Sequence, residues 1–389
     1  MTTTAIDARN GNQAKDGLKP GQKPPAPRFP LVNCAALDAE DNTPRAIVTE
    51  VLFAGILCII GGLFKVCKSL FGIDLAIAIA TGRPFLNVFT VPASMSVLYF
   101  CGEGGATVTQ EYARRIARSK GMELCDVPNL FFCFSVPRLE NLRDLDEFCK
   151  VLDETAAEVV ILDNLMLCLS GDEAGNVYKM GTILANVIRL CTERGVTPVF
   201  IHHFKRTRAT ADQYAPGELL DLTQAGVAEN AGGWILITRR ERFDPDQAGE
   251  HKLWLSIGGR VGHSSLHAVD VHEGRRSDPG GRRWEVELFR PDDARQAARG
   301  AEQGAREAAR RAKDAAALEA DRREIVAILA KLKAPETKSG ARDQFANGHK
   351  RFDLAFASLT RDGTLQAAQV ERGNGQTYPG WNLRNDPQA

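Results

Sequence analysis

The sequence predicts an α/β fold with a parallel central sheet, an antiparallel extension and a separate helical unit at its C-terminal end. Three observations carry that prediction. Compact apolar runs alternate with helical patterns from about residue 46. β-rich runs without helices between them follow residue 233. An Ala/Arg/Glu-rich stretch at 291–318 then sets off residues 319–389. Alternation of strand and helix implies parallel strands, because parallel neighbours need a crossover and antiparallel ones need only a turn.

The elements follow in order. Residues 1–45 are rich in Pro, Lys, Asn and Thr, with five prolines between positions 20 and 30, and read as a disordered arm. "GILCIIGG" (55–62), "SVLYFCGE" (96–103), "EVVILD" (158–163) and "TPVFIHHF" (197–204) suit central parallel strands, which are apolar on both faces. Helical patterns cover 69–81, 106–120, 142–156 and 177–194, the last ending at Gly195. "WILITRRE", "KLWLSIGG", "LHAVDVHEG" and "RRWEVELF" supply the antiparallel extension and close a first domain at 46–290. Residues 291–318 hold almost no large apolar side chain and read as an exposed helical linker. In 319–389, "REIVAILAKL" and "KRFDLAFASLTRDG" are helical. "TLQAAQVERGNGQTYPGWNL" reads as a hairpin turning at Gly-Asn-Gly. Helices followed by a hairpin predict a winged helix-turn-helix-like domain.

Bulk composition narrows the class. The chain has 389 residues, 44% hydrophobic and 25% charged, with formal net charge zero. That is globular composition with no global field favouring nucleic acid or membrane. Nine cysteines, odd in number and without a C-x-x-C pair, lie in the first half of the chain and read as reduced thiols. With no apolar leader at the N-terminus, they point to a cytoplasmic protein rather than a disulfide framework or a zinc site. The longest apolar run, Val51 to Phe64, has 14 residues. A spanning helix needs about 20, so no membrane partner is expected.

"GGLFKVCKS" at 61–69 departs at one position from the phosphate-loop pattern G-x-x-x-x-G-K-[ST], since Cys67 stands where the second glycine would be. A strand leads into it, and a helix with Leu70, Ile73, Ile77 and Ala80 on one face leads out. Backbone N–H groups of the loop and helix start would then face phosphates. Lys68 would reach the β- and γ-phosphates and the Ser69 hydroxyl would ligate Mg²⁺. A plain strand–helix turn with an incidental lysine is the alternative. If Cys67 lines this path, Lys68 and the helix start should lower its pKa and make it the most readily alkylated thiol. Glu103 ends a strand where a carboxylate can deprotonate water. Asp163 ends another, where a carboxylate can hold Mg²⁺. His202 and His203 end a third, where they can sense the γ-phosphate. Each alone is equally a helix cap; together they mark the carboxyl edge of one parallel sheet, where ligands bind.

"GLFKVCKS", "ATGRPFL", "VLYFCGE", "VVILDNL" and "VFIHHFK", in that order over about residues 50–245, resemble the RepA-like branch of the RecA-type P-loop ATPases, which includes hexameric plasmid helicases. The resemblance implies a RecA-like fold, with ATP and Mg²⁺ as ligands. It implies ATP phosphates at Gly62, Lys68 and Ser69 within a nucleotide-binding stretch that also takes in Lys65, Val66, Cys67 and Leu70, with Mg²⁺ at Ser69 and Asp163 and a catalytic Glu103. His202 and His203 would couple hydrolysis to conformation. It also implies a homo-oligomeric ring, and by a related feature of DnaB-type helicases Arg239 or Arg240 of "WILITRRE" would complete a neighbour's site. "ENAGGW" lacks the arginine that some RepA-like chains carry there.

Lys205, Arg206 and Arg208 follow the fourth strand, where the family's loop faces the ring channel and single-stranded DNA. A solvated basic loop is the alternative. Lys350 and Arg351 begin the candidate recognition helix. Residues 319–389 carry eleven Lys and Arg against nine Asp and Glu, a weak basic balance for a DNA-binding domain. The reading is an ATP-hydrolysing, DNA-associated motor or loader in replication, mobilisation or recombination. The alternatives are a non-hydrolysing, nucleotide-gated DNA-binding regulator with a degenerate loop, and a small-molecule phosphotransferase.

Overall fold

The structure, a computed structural model, describes residues 31–169, 177–205, 214–224, 226–332, 334–373 and 375–384. Two compact units divide the chain. One holds residues up to 265 together with 270–287; the other holds 266–269 and 288–389.

Helix α1 (Cys34–Ala39) begins at Asn33, whose side chain accepts a hydrogen bond from the Ala36 N–H. The expected disordered arm is therefore corrected over this span: an Asn N-cap satisfies one of the free N–H groups of the first turn. The arm's residues 1–30 lie outside the described residues. A small ladder follows, β1 (Ala46–Val48) with β2 (Leu52–Phe53).

The core elements are β3 (Cys58–Gly62), α2 (Lys68–Thr81), β4 (Val97–Cys101), α3 (Gly105–Ser119), β5 (Leu130–Cys133), α4 (Leu142–Glu154) and β6 (Val159–Asp163). They continue with α5 (Val177–Thr192), β7 (Thr197–His203), α6 (Val227–Asn230) and β8 (Gly233–Arg239). Strands β9 (Glu250–Gly259), β10 (Ser264–His272) and β11 (Glu285–Phe289) extend them. Among the described residues one sheet of nine strands runs β11-β10-β9-β8-β3-β7-β6-β4-β5. From β8 to β5 every neighbouring pair is parallel, and β9 turns antiparallel to β8. The carboxyl ends of β3, β4, β6, β7 and β8 therefore share one edge. Sequence reading did not identify β5, although "LFFC" is a short apolar run of strand type.

Residues of β3, β4, β6 and β7 are buried throughout, as central parallel strands require. One face packs Ile59, Phe100, Leu162 and Phe200 against Phe148 and Leu152 of α4 and Leu184 and Val187 of α5. Helix α2 is buried from Leu70 through Ala80, not along one stripe only. Its Asp74 is tied by Trp284 Nε1 at 2.7 Å and Lys120 Nζ at 3.0 Å, which pairs an otherwise costly buried charge.

The second unit has α7 (Pro291–Leu332), α8 (Lys338–Asp343), α9 (His349–Arg361) and the antiparallel hairpin β12 (Leu365–Glu371) with β13 (Thr377–Leu383). Ile325, Leu329, Phe352, Phe356, Leu359 and Leu365 form its core. The order of helices and hairpin is the expected one. The expected break at 318/319 is corrected, because α7 runs through it unbroken. Ala, Arg, Glu and Lys are strong helix formers, and no proline interrupts them.

Candidate active site

The cleft is built from the strand ends upward. Gly62 closes β3 beside β8, where a Cβ would lie 2.5 Å from the Ile237 carbonyl oxygen, so only glycine fits. It does not line the cleft itself. The loop then passes Lys65 and Cys67, both at positive φ (59° and 63°), and enters α2. Cys67 thus occupies the left-handed backbone that a glycine would adopt freely, at a cost of about 1 kcal/mol. No side chain caps α2, so its first N–H groups, at Lys68 to Leu70, remain available to an anion. The cleft, about 410 Å³, is lined by Lys65 to Leu70 on one side and by Glu103, Asp163, Asn164 and His203 on others.

Lys68 is buried and its Nζ donates to the Leu63 carbonyl at 2.7 Å. Burial lowers its pKa to about 8, against the raising influence of Asp163 and Glu103. Asp163 ends β6, and its Oδ2 accepts from the Tyr99 hydroxyl at 2.7 Å. Strands β4 and β6 are in register with Cys101 opposite Asp163, which brings Tyr99 within reach. Burial pushes the Asp163 carboxyl above its ordinary range, against hydrogen bonds from Tyr99 and Ser69. The Ser69 hydroxyl and Asp163 carboxylate are thus side by side, a hard oxygen donor set of the kind Mg²⁺ takes.

Glu103 is exposed just beyond β4, and its Oε1 accepts from Asn164 Nδ2 at 2.6 Å. The same amide nitrogen lies 3.4 Å from His203 Nε2. His203 stacks on Phe64, with ring centroids 4.8 Å apart. Burial, with Lys68 nearby, lowers the His203 pKa to about 4, so the ring is neutral at pH 7. His202 is corrected. Adjacent residues of a strand point to opposite faces, and its Nε2 lies 3.0 Å from the Thr223 carbonyl, outside the cleft.

The basic candidates separate too. Arg239 ends β8 and donates to the Lys65 carbonyl at 2.7 Å, holding the tip of its own loop. Arg240 pairs with Asp270 and lies 5.6 Å over the Trp254 ring. It is corrected as a free cation: the antiparallel extension places Asp270 beside it. Lys205 Nζ donates to the Leu220 carbonyl at 2.8 Å, while Arg206 and Arg208 lie outside the described residues. In the second unit Lys350 is exposed, whereas Arg351 makes a two-bond pair with buried Asp321 at 2.6 and 2.7 Å.

The expectation of a reactive Cys67 is overturned. Burial, then the Glu273 carboxylate, raises its pKa well above an ordinary thiol, outweighing Arg239, Arg115 and Lys68. Sequence reading missed Asn164, Tyr99 and Glu273. Asn164 adjoins Asp163 in the chain, but nothing in the spacing shows that it bridges to Glu103.

Residues 22–209 match the family model described as an AAA domain. The match and the fold support a place in the P-loop ATPase superfamily. They support a RecA-like core and nucleotide-binding ATPase activity as well. The solved KaiC-like protein of the hyperthermophilic archaeon Pyrococcus horikoshii is a structural neighbour at 15% identity, covering 62% of this chain and 93% of that one, with TM-score 0.40. No curated protein matches the sequence. Among the described residues no helix is long and apolar enough to cross a membrane.

Proposed function

We propose that this protein hydrolyses ATP and couples turnover to single-stranded DNA, as a ring-forming motor or loader of the RepA-like type. One observation carries the hydrolytic part: Lys68, Ser69, Asp163 and Glu103 line a single cleft at the carboxyl edge of parallel strands. Phosphates take the N–H groups at the start of α2, and the Lys68 ammonium exchanges the Leu63 carbonyl for phosphoryl oxygens. Ser69 and Asp163 would hold Mg²⁺. When bound, Mg²⁺ neutralises charge on the phosphoryl oxygens. Glu103, steadied by Asn164, orients the attacking water and accepts its proton. Neutral His203 adjoins Asn164, where a change at the γ-phosphate reaches the end of β7.

The DNA partner rests on Lys205, Arg206, Arg208 and exposed Lys350, and the ring on the family resemblance. Arg239, at the edge of the loop, is the remaining candidate to complete a neighbour's site. A second reading, the nucleotide-gated regulator, is favoured by the left-handed Cys67. Steady-state phosphate release, with and without single-stranded DNA, separates the two. Turnover that rises with DNA and is abolished by Glu103→Gln supports the motor or loader. Tight ATP binding without turnover supports the regulator.

A further inference from the structure

Beside the nucleotide cleft, three side chains from three different elements converge. Cys67 comes from the loop, His251 from β9, and Glu273 follows the end of β10. Their donor atoms all lie within 4.8 Å of one another. Cys67 Sγ is 3.9 Å from Glu273 Oε1, and His251 Nε2 is 2.7 Å from the same oxygen.

We propose that Cys67, His251 and Glu273 form a three-ligand site for a zinc-class divalent cation, one that ties the phosphate loop to the antiparallel extension. The division of labour on Glu273 is the main argument. Its Oε2 is held by Arg115 at 2.5 Å and by Arg282, whereas Oε1 faces Cys67 and His251 among the described residues. Outer hydrogen bonds of this kind orient a carboxylate ligand, and the two guanidinium groups balance the charge that a thiolate and carboxylate bring together. Donors around a tetrahedral centre with bonds of about 2.0–2.3 Å lie roughly 3.3–3.7 Å apart. To reach that range the 2.7 Å spacing of His251 and Glu273 must open and the 3.9 Å spacing of Cys67 and Glu273 must close slightly.

Chemistry selects the metal class. A thiolate, an imidazole and a carboxylate suit zinc or a similar borderline ion, whereas Mg²⁺ prefers oxygen alone. On binding, the Sγ proton passes to solvent and the imidazole coordinates through Nε2 with its one N–H on Nδ1. Nδ1 makes no hydrogen bond among the described residues, so no existing bond there opposes that tautomer. Three protein ligands leave a fourth position for solvent or a nucleotide oxygen. Because Cys67 also lines the nucleotide cleft, metal occupancy and nucleotide affinity should be linked.

The test uses Co²⁺ as a spectroscopic probe on the full-length protein, without nucleotide. One equivalent should produce near-ultraviolet thiolate-to-cobalt absorption that Zn²⁺ bleaches and Mg²⁺ does not. Cys67→Gly, which suits the left-handed backbone and keeps the loop foldable, should lose that absorption while retaining an unchanged far-ultraviolet circular dichroism spectrum. His251→Ala should weaken cobalt affinity roughly 10–100-fold. Absence of the absorption in the unmodified protein would overturn the proposal. So would its persistence in Cys67→Gly, which would assign it to another of the nine cysteines. None of these readouts depends on ATP turnover.

Discussion

The side-chain amide of Asn164 donates to Glu103 Oε1 at 2.6 Å, joining the ends of β6 and β4 across the cleft. The bond holds one carboxylate oxygen of Glu103 in place. Glu103→Gln keeps the shape but cannot take a proton, so ATP should stay bound while hydrolysis falls roughly 10²–10⁴-fold. Asn164→Ala should lower turnover about tenfold with nucleotide affinity unchanged, because it releases the base without removing it. Single-turnover hydrolysis beside equilibrium binding of an ATP analogue checks both. Unaltered turnover in Asn164→Ala would mean that the bond does no positioning.

Lys68 should cost the nucleotide-free fold stability. Its pKa falls from 10.5 to about 8 on burial, so the unfolded chain holds the proton more tightly. The cost is fully present below about pH 8 and is relieved as pH rises toward 10.5. Lys68→Met should therefore stabilise the nucleotide-free protein at pH 7 by roughly 1–3 kcal/mol, while removing the stabilisation that ATP confers. Denaturant melts with and without ATP measure both effects. A less stable Lys68→Met protein would show that the bond to Leu63 outweighs desolvation.

Cys67 should be slow to alkylate. With its pKa raised by burial and Glu273, it should react after the exposed Cys34 and Cys125, by mass mapping of a timed reaction. Cys67→Gly should raise stability by up to about 1 kcal/mol through relief of the left-handed backbone. Early labelling of Cys67 would show a more open loop.

Arg240 and Arg239 should part company. Arg240→Ala leaves Asp270 without its partner and should cost on the order of 1.5–3 kcal/mol in a denaturant melt. Arg239→Ala releases the exposed bond to the Lys65 carbonyl and the contact over the Phe243 ring, and should leave stability within about 0.5 kcal/mol. If Arg239 serves a neighbour, its alanine variant should bind ATP with little turnover and regain activity when mixed with Lys68→Ala. No recovery, with turnover independent of protein concentration, would remove the intersubunit role.

Much of the fold is local in origin, and the sequence alone determined it. Apolar runs such as "VVILD" are buried on both faces of a parallel sheet, so their composition reports their place. Strand, glycine-bearing loop and helix at 55–81 are contiguous, so the phosphate loop is legible in one stretch. Glu103 and Asp163 end strands that point the same way, which puts them on one edge once the alternation is seen.

Tertiary structure decided what depends on residues distant in the chain. Which of two adjacent side chains faces the cleft separates His203 from His202, and strand register settles it. Arg240 looks as free as Arg239 until β10 brings Asp270 beside it. The thiol of Cys67 reads as activated from its sequence neighbours, Lys68 and a helix start. Burial and Glu273, 206 positions away, reverse that. Electrostatic environment is a sum over whatever the fold brings within a few ångströms, and sequence spacing carries little of that sum.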